Sequence, residues 1–283
     1  MAVGAIRRTR FAPSPTGPLH LGHAYAALVA SGAADRGEFL LRIEDIDRDR
    51  CRPEFETEIY QDLAWLGVEW PRPVMRQSDR MSAYRDALKR LAPLCYPCCC
   101  RRGDIRAALS APQEGALPVG PDGLIYPGTC RGRAMSDAGP DDVIRLDAAR
   151  AFAAIGTDRI GFRDEIILPD HDHILTCAEF RDGIGDVILS RRGMGTSYHL
   201  AVVVDDAAQG ITVVTRGKDL FDSTWIHVLL QRLLVLPTPL YHHHRLIRDD
   251  AGKRLAKRDD ARAIRMFRDE GATPQDIREL LGA

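Results

Sequence analysis

The sequence predicts an α/β fold, a Rossmann-type parallel sheet split by a smaller α+β lobe, on three observations. Strand-like and helix-like runs alternate from Arg7 to Leu66, the stretch from Cys95 to Cys130 abandons that periodicity, and the alternation resumes near Leu200. Arg7 to Ala12 reads as a short strand stopped by Pro13, and the alanine-rich segment Gly22 to Arg36 reads as the helix after it. Glu38 to Ile43 follows as a buried strand. Pro53 to Leu66 follows as a helix, with Pro53 in its first turn and Gly67 just past its end. In such a βαβα opening, ligands bind beyond the carboxyl ends of the strands, and Pro13 to Gly22 lies at one of them.

Asp79 to Leu91 is an amphipathic helix pattern. Cys95 to Cys130 is rich in Pro and Gly and reads as an insertion, not more sheet. Strand-like runs at Val143 to Leu146, Ile160 to Ile167 and Asp186 to Ser190 suggest the α+β lobe. The parallel-sheet pattern resumes at Leu200 to Val204 and Gly210 to Thr215, enters a long helix from Ser223 to Leu234, and ends in one helical segment from Ala261 to Leu281. The expected divisions are residues 1–94 and 191–245 for the two halves of the sheet domain, 95–190 for the inserted lobe, and 246–283 for a basic loop and helical tail.

The chain has 283 residues, 45% hydrophobic and 28% charged, which is ordinary globular composition. A formal net charge of −1 lacks the basic excess that holds nucleic acid by bulk electrostatics, so any RNA contact must be local. The N-terminus has no apolar signal core and no run of about 18 apolar residues occurs, so a cytoplasmic protein without membrane association is expected. Cysteines number seven, and four of them crowd between Cys95 and Cys100, which suits a metal better than a disulfide framework.

Two motifs carry chemistry. In Arg10-Phe-Ala-Pro-Ser-Pro-Thr-Gly-Pro-Leu-His-Leu-Gly-His23, two histidines straddle Gly22 where a helix begins, and a helix N-terminus with imidazole donors suits phosphate oxygens. Taken alone, His-x-Gly-His is more simply a helix-start turn. The second motif, Cys98-x-Cys100 with Tyr126-x-x-x-Cys130, offers three thiolates where tetrahedral zinc needs four ligands, and Cys95 and Cys99 compete for places. His242-His-His244 and Asp170-His-Asp-His173 look metal-like but lack a partner set and read as polar loops; Cys51 and Cys177 are isolated.

The first motif, followed by Arg42-Ile-Glu-Asp-Ile-Asp47, resembles the glutamyl branch of class I aminoacyl-tRNA synthetases over roughly Arg7 to Asp259. Within it the chain resembles the glutamyl-queuosine tRNA(Asp) synthetase subfamily, which is similar to the catalytic half of glutamyl-tRNA synthetase without an anticodon-binding domain. The resemblance implies ATP contacts from Pro13, His20, Gly22, His23 and Lys257, with His20, His23 and Lys257 catalytic. It implies glutamate contacts from Arg10, Phe11, Ala12, Pro13, Ser14, Glu44, Tyr198 and Arg216, at strand ends or adjoining loops of one sheet. Lys253 to Arg258 stands where the family carries K-M/L-S-K-S, with Arg254 for the first lysine, Ala256 for the serine, and Lys257 kept.

By the same resemblance Tyr126 is the fourth ligand of one structural zinc, beside Cys98, Cys100 and Cys130, and magnesium accompanies ATP. The implied activity is ATP-dependent formation of glutamyl-adenylate and transfer to queuosine at the wobble position of tRNA(Asp), so ATP, L-glutamate and that tRNA are the expected partners of a monomer. A truncated glutamyl-tRNA synthetase that charges a tRNA 3' end is one alternative. An inactive RNA-binding paralogue is another, motivated by the altered Lys253 to Arg258 stretch and by Arg101, Arg102, Arg131 and Arg133.

Overall fold

The computed structural model describes residues 6–109, 117–247 and 262–282. Strand β1 (Arg8–Phe11) passes through helix α1 (Leu21–Ala33) to β2 (Glu38–Ile43), and the strands pair in parallel with Arg8 opposite Glu38 and Phe11 opposite Leu41. Ala24, Ala27 and Ala30 are buried on α1, and their small side chains let the helix lie close to the sheet. Helix α2 (Pro53–Trp65) starts on Pro53 and leads to the short β3 (Met75–Arg76), parallel to β2; helix α3 (Met81–Leu91) follows a 3₁₀ turn that takes up the start of the expected Asp79 to Leu91 helix.

From residue 95 to 190 the chain forms β4 (Cys95–Cys98), α4 (Arg102–Leu109), the hairpin β5 (Val119–Gly120) with β6 (Gly123–Leu124), β7 (Val143–Leu146), α5 (Ala148–Ile155), the hairpin β8 (Arg159–Arg163) with β9 (Asp172–Thr176), α6 (Cys177–Gly183) and β10 (Ile188–Ser190). Cys95 to Cys98 is therefore sheet, contrary to expectation: β4 pairs antiparallel with β7, Cys95 opposite Leu146 and Cys98 opposite Val143. Its sequence hides this because β4 is buried along its whole length and shows no alternation. The expected strand from Ile160 to Ile167 ends at Arg163, where the Asp164 carboxylate accepts from the backbone N–H groups of Ile166 and Ile167 and turns the chain.

Leu200 to Val204 is helical, not a resumption of the sheet. It lies in α7 (Tyr198–Ala208), capped by Ser197, and Leu200, Ala201, Val202 and Val203 are all buried. A helix buried on every side presents a continuous apolar run that periodicity cannot separate from a strand. The sheet resumes at β11 (Val213–Gly217), which leads through α8 (Ser223–Leu233) to the parallel β12 (Leu240–His244). Thr212 N donates to Arg8 O at 2.9 Å and Arg8 N donates to Thr212 Oγ1 at 2.7 Å, which sets β11 beside β1 and brings the two parallel pieces together.

The expected single C-terminal helix is two, α9 (Ile264–Asp269) and α10 (Pro274–Leu281). Gly271, at φ 87°, breaks the run, and the Thr273 side chain caps the restart by accepting from Asp276 N. Ala261, where that segment was expected to begin, lies outside the described residues. Among the described residues no helix is long and apolar enough to cross a membrane.

Candidate active site

The first signature alternates in burial from the end of β1: Phe11, Pro13, Pro15 and Gly17 are buried, while Ala12, Ser14 and Thr16 are half-buried. The Phe11 side chain joins the apolar core with Leu19 and Leu41. Glu44 N donates to Pro13 O at 3.0 Å and ties the ends of β1 and β2 together. As a result Ser14 and Glu44 line one cavity of about 320 Å³, closed on another side by Tyr198, Gln77 and Arg191. Tyr198 reaches it from the first residue of α7, where a strand end or an adjoining loop was expected.

Behind the cavity lies a buried charge cluster. Arg10 donates through Nε and Nη2 to Asp206 Oδ1 and Oδ2 at 2.9 and 3.2 Å, and Arg42, fully buried, donates from Nη1 to the same Oδ1 at 2.7 Å. Arg42 Nη2 donates to Glu44 Oε1 at 3.2 Å. Burial opposes a charge on Asp206, but Arg10 and Arg42 outweigh it and hold that carboxyl below the usual range. Glu44 differs: burial outweighs Arg42 and Arg10 and pushes its carboxyl up. Asp206 is thus held between two arginines, Arg42 is shared with Glu44, and of the two carboxylates Glu44 is the one that lines the cavity, chemistry suited to a substrate ammonium.

Arg216, on β11, is also buried. Its Nε donates to His243 Nε2 at 3.2 Å, its Nη2 to Thr224 Oγ1, and its Nη1 meets His227 Nδ1 at 3.1 Å, with the Tyr241 ring 5.3 Å from the guanidinium. Of five guanidinium N–H groups these use three, leaving one on each Nη among the described residues, the number a carboxylate takes in a forked pair.

His20 and His23 meet at the start of α1. Gly22 N donates to His20 Nδ1 at 3.1 Å, His20 N donates to His23 Nδ1 at 3.2 Å, and the rings stack 3.8 Å apart. Each Nδ1 accepts, so each neutral ring carries its proton on Nε2. Lys257, with Lys253, Arg254 and Ala256, lies outside the described residues. The chain that follows returns to this motif: Ile264 N donates to Leu19 O at 2.8 Å.

The cysteine cluster joins the end of β4 to the stretch between β6 and β7. The ligand atoms of Cys98, Cys100 and Cys130 all lie within 4.8 Å of one another, Cys100 Sγ is 3.6 Å from Cys130 Sγ, and the Tyr126 hydroxyl is 3.6 Å from Cys100 Sγ. A zinc–sulfur bond of about 2.3 Å places the sulfurs of a tetrahedron about 3.8 Å apart, so the spacing fits that metal. Cys95 belongs to a different apolar cluster, with Leu91 and Leu146, and burial pushes its thiol up to about 12; Cys99 is exposed and 3.9 Å from Cys130 Sγ. The other metal-like runs disperse. His242 meets Glu165, His243 meets Asp164 and Arg216, His244 meets Arg245 O, and His173 meets Ile167 O.

Sequence reasoning missed Asp206 and its neighbour Asp205, whose carboxylate accepts from Gln77, Arg80 and Tyr84. The available signal was two adjacent carboxylates in the otherwise apolar run Leu200 to Ala208, where only ionic partners make burial tolerable.

Residues 7–117 and 159–282 match the family model of class I tRNA synthetases (E and Q), catalytic domain. The chain is 57% identical to glutamyl-Q tRNA(Asp) synthetase of Rhodobacter capsulatus, covering 97% of this chain and 99% of that protein. The chain belongs to the class I tRNA synthetase family, in its glutamyl-Q tRNA(Asp) branch. The protein of the same name from Symbiobacterium thermophilum is 40% identical over 95% of this chain and 83% of its own length. Among solved structures, a glutamate tRNA ligase from Elizabethkingia meningosepticum in complex with its amino acid superposes with a TM-score of 0.75 at 26% identity, covering 98% of this chain. The chain spans 60% of the length of that ligase. Mycobacterium tuberculosis methionyl-tRNA synthetase, at 11% identity and a TM-score of 0.60, shares the fold. As a member of the class I tRNA synthetase family the chain is a ligase.

Proposed function

We propose that the chain activates L-glutamate with ATP as glutamyl-adenylate and transfers the glutamyl group to queuosine at the wobble position of tRNA(Asp). The observation that carries this reading is that Ser14, Glu44 and Tyr198 line one cavity at the carboxyl ends of β1 and β2. In this reading Glu44 and Tyr198 take the ammonium end of glutamate. Arg216, with two N–H groups left by its protein partners, clamps the side-chain carboxylate, and Ala12, Pro13 and Ser14 border the α-carboxylate. Arg10 and Phe11 act from behind, through Asp206 and through the core.

An α-carboxylate oxygen attacks the ATP α-phosphorus, the bond to the β-phosphate oxygen breaks, and pyrophosphate leaves. His20 and His23, each with its proton on Nε2, stabilise developing phosphate charge at the N-terminus of α1, Gly22 admits the nucleotide closely, and Lys257 adds a positive charge. Magnesium accompanies ATP as its counter-ion and offsets phosphate charge. A hydroxyl of the queuosine ring then attacks the glutamyl carbonyl, and AMP leaves. Cys98, Cys100, Cys130 and Tyr126 would hold one zinc that staples the inserted segment, a structural role supported by the thiol spacing.

The deciding experiment follows labelled glutamate with ATP and tRNA(Asp), with and without queuosine. Label on the modified tRNA alone is expected; label on both, or at the 3' end, overturns the acceptor.

A further inference from the structure

The partners of Arg216 continue beyond it in two buried chains. On one side Arg216 Nη1 meets His227 Nδ1 at 3.1 Å, His227 Nε2 meets His199 Nδ1 at 3.0 Å, and His199 Nε2 lies 2.9 Å from both carboxylate oxygens of Asp122. On the other, Arg216 Nε meets His243 Nε2 at 3.2 Å, and His243 Nδ1 meets Asp164 Oδ2 at 2.5 Å. His199, His227 and His243 are all buried.

Only one proton arrangement satisfies the longer chain. A guanidinium donates and never accepts, so His227 Nδ1 is bare and its proton sits on Nε2. That N–H points at His199 Nδ1, which must accept, so His199 carries its proton on Nε2 and gives it to Asp122. Burial, reinforced by the charge of Arg216, holds the His227 imidazolium pKa well down, consistent with the neutral ring this order requires. Burial opposes a charge on Asp122, yet the hydrogen bond from His199, with the nearby charges of Arg191 and Arg145, outweighs it and keeps its carboxyl below the usual range. Every donor therefore points from Arg216 outward, and a carboxylate, acceptor at both oxygens, terminates the series.

Asp122 sits on the turn between β5 and β6, 77 residues before His199 in sequence, and lies outside the stretches that match the synthetase family model. We propose that Asp122 is a positioning residue for amino-acid recognition, supplied by the inserted segment, which fixes Arg216 through His199 and His227. The proposal rests on the reading of Arg216 as the clamp for the glutamate side-chain carboxylate. An amide in place of Asp122 can turn its NH₂ towards His199. His199 then moves its proton to Nδ1, His227 moves its own to Nδ1 in turn, and an N–H faces the guanidinium. Wrong-tautomer failure of this kind is what an Asp-to-Asn change does to a catalytic histidine.

The test measures glutamate and ATP KM values for Asp122→Asn, Arg216→Lys and the double variant, by glutamate-dependent ATP–pyrophosphate exchange, or with tRNA present if exchange requires it. The Asp122 side chain is 38% exposed on a hairpin, so its amide variant is expected to keep the wild-type melting temperature. Asp122→Asn is expected to raise the glutamate KM about tenfold and leave the ATP KM unchanged. Added to Arg216→Lys it should cost nothing further, because the guanidinium it positions is gone. An unchanged glutamate KM in Asp122→Asn beside an impaired Arg216→Lys, or additive losses in the double variant, overturns the positioning role alone. A rise in both KM values with a lowered melting temperature shows a merely structural residue and also overturns it. An unchanged glutamate KM in Arg216→Lys overturns the clamp, and the positioning role with it.

Discussion

Ala263 forms an isolated antiparallel bridge with His20. The polypeptide that follows the lysine-bearing segment is thereby held against the residue that caps α1 and, in the proposed mechanism, faces the nucleotide phosphates. His20 has two separable tasks, since its Nδ1 caps the helix and its Nε2–H is the proposed phosphate donor. His20→Asn keeps a capping acceptor and loses the imidazole donor. It is expected to retain wild-type stability while pyrophosphate exchange falls by about 10²-fold, in the range for one charge-stabilising donor. His20→Ala should lose the same activity and about 1 kcal/mol of stability as well. Wild-type exchange in the asparagine variant would confine His20 to capping.

Glu44 gives a pH prediction. Burial raises its carboxyl pKa, so it takes up a proton at a higher pH than an ordinary glutamate. As pH falls, Glu44 becomes neutral and its attraction for the substrate ammonium is lost. The glutamate KM should therefore rise on the acid side while the ATP KM stays flat, measured between about pH 5 and pH 8. Glu44→Gln should raise the glutamate KM roughly 30-fold or more and erase that acid limb. An acid limb that survives in Glu44→Gln belongs to another group.

Metal content discriminates among neighbouring thiols. One zinc per chain is expected, retained in Cys95→Ser and Cys99→Ser and lost in Cys98→Ser and Cys130→Ser. Loss of the metal should lower Tm by roughly 5 °C, which for a chain of this size corresponds to about 3 kcal/mol. Elemental analysis of the purified variants checks this, and zinc that disappears with Cys99 would redraw the ligand set.

Asp62 on α2 is fully buried, accepts from Arg268 Nη1 on α9 at 3.1 Å, and has its carboxyl pushed up to about 6 by burial that Arg268 only partly offsets. Its folded pKa exceeds its unfolded value, so the folded state binds the proton more tightly. The site's contribution to stability is therefore best below the unfolded pKa and is lost as pH rises through about 6. Asp62→Asn should be more stable than wild type near neutrality by roughly 1–2 kcal/mol, a gap that closes on acidification. Urea unfolding of both proteins at two pH values measures it. A gap independent of pH removes Asp62 as the titrating group.

Elements that depend on short-range signals were legible in the sequence: β1, β2 and α2 from alternation, Pro53 and Gly67, and the placement of Ser14 and Glu44 just past strand ends and of His20 and His23 at a helix start from two contiguous strings. Residues a few positions apart in a capped turn or at a strand end have little freedom relative to one another, so their identity and spacing fix their geometry. Leu200 to Val204 and Cys95 to Cys98 were misread because burial on both faces removes the polar alternation by which a helix or a strand is recognised.

The first motif and the cysteine string thus marked two local groupings, a pair of histidines at a helix start and a cluster of thiols. Only the tertiary structure decided how those groups are partnered. Arg10 meets Asp206 across 196 residues, Asp122 meets His199 across 77, and Cys98, Cys100 and Cys130 converge while Cys95 turns into a separate core. Buried charges and donors must find partners wherever the fold brings them, and a linear pattern carries no record of contacts made over such distances.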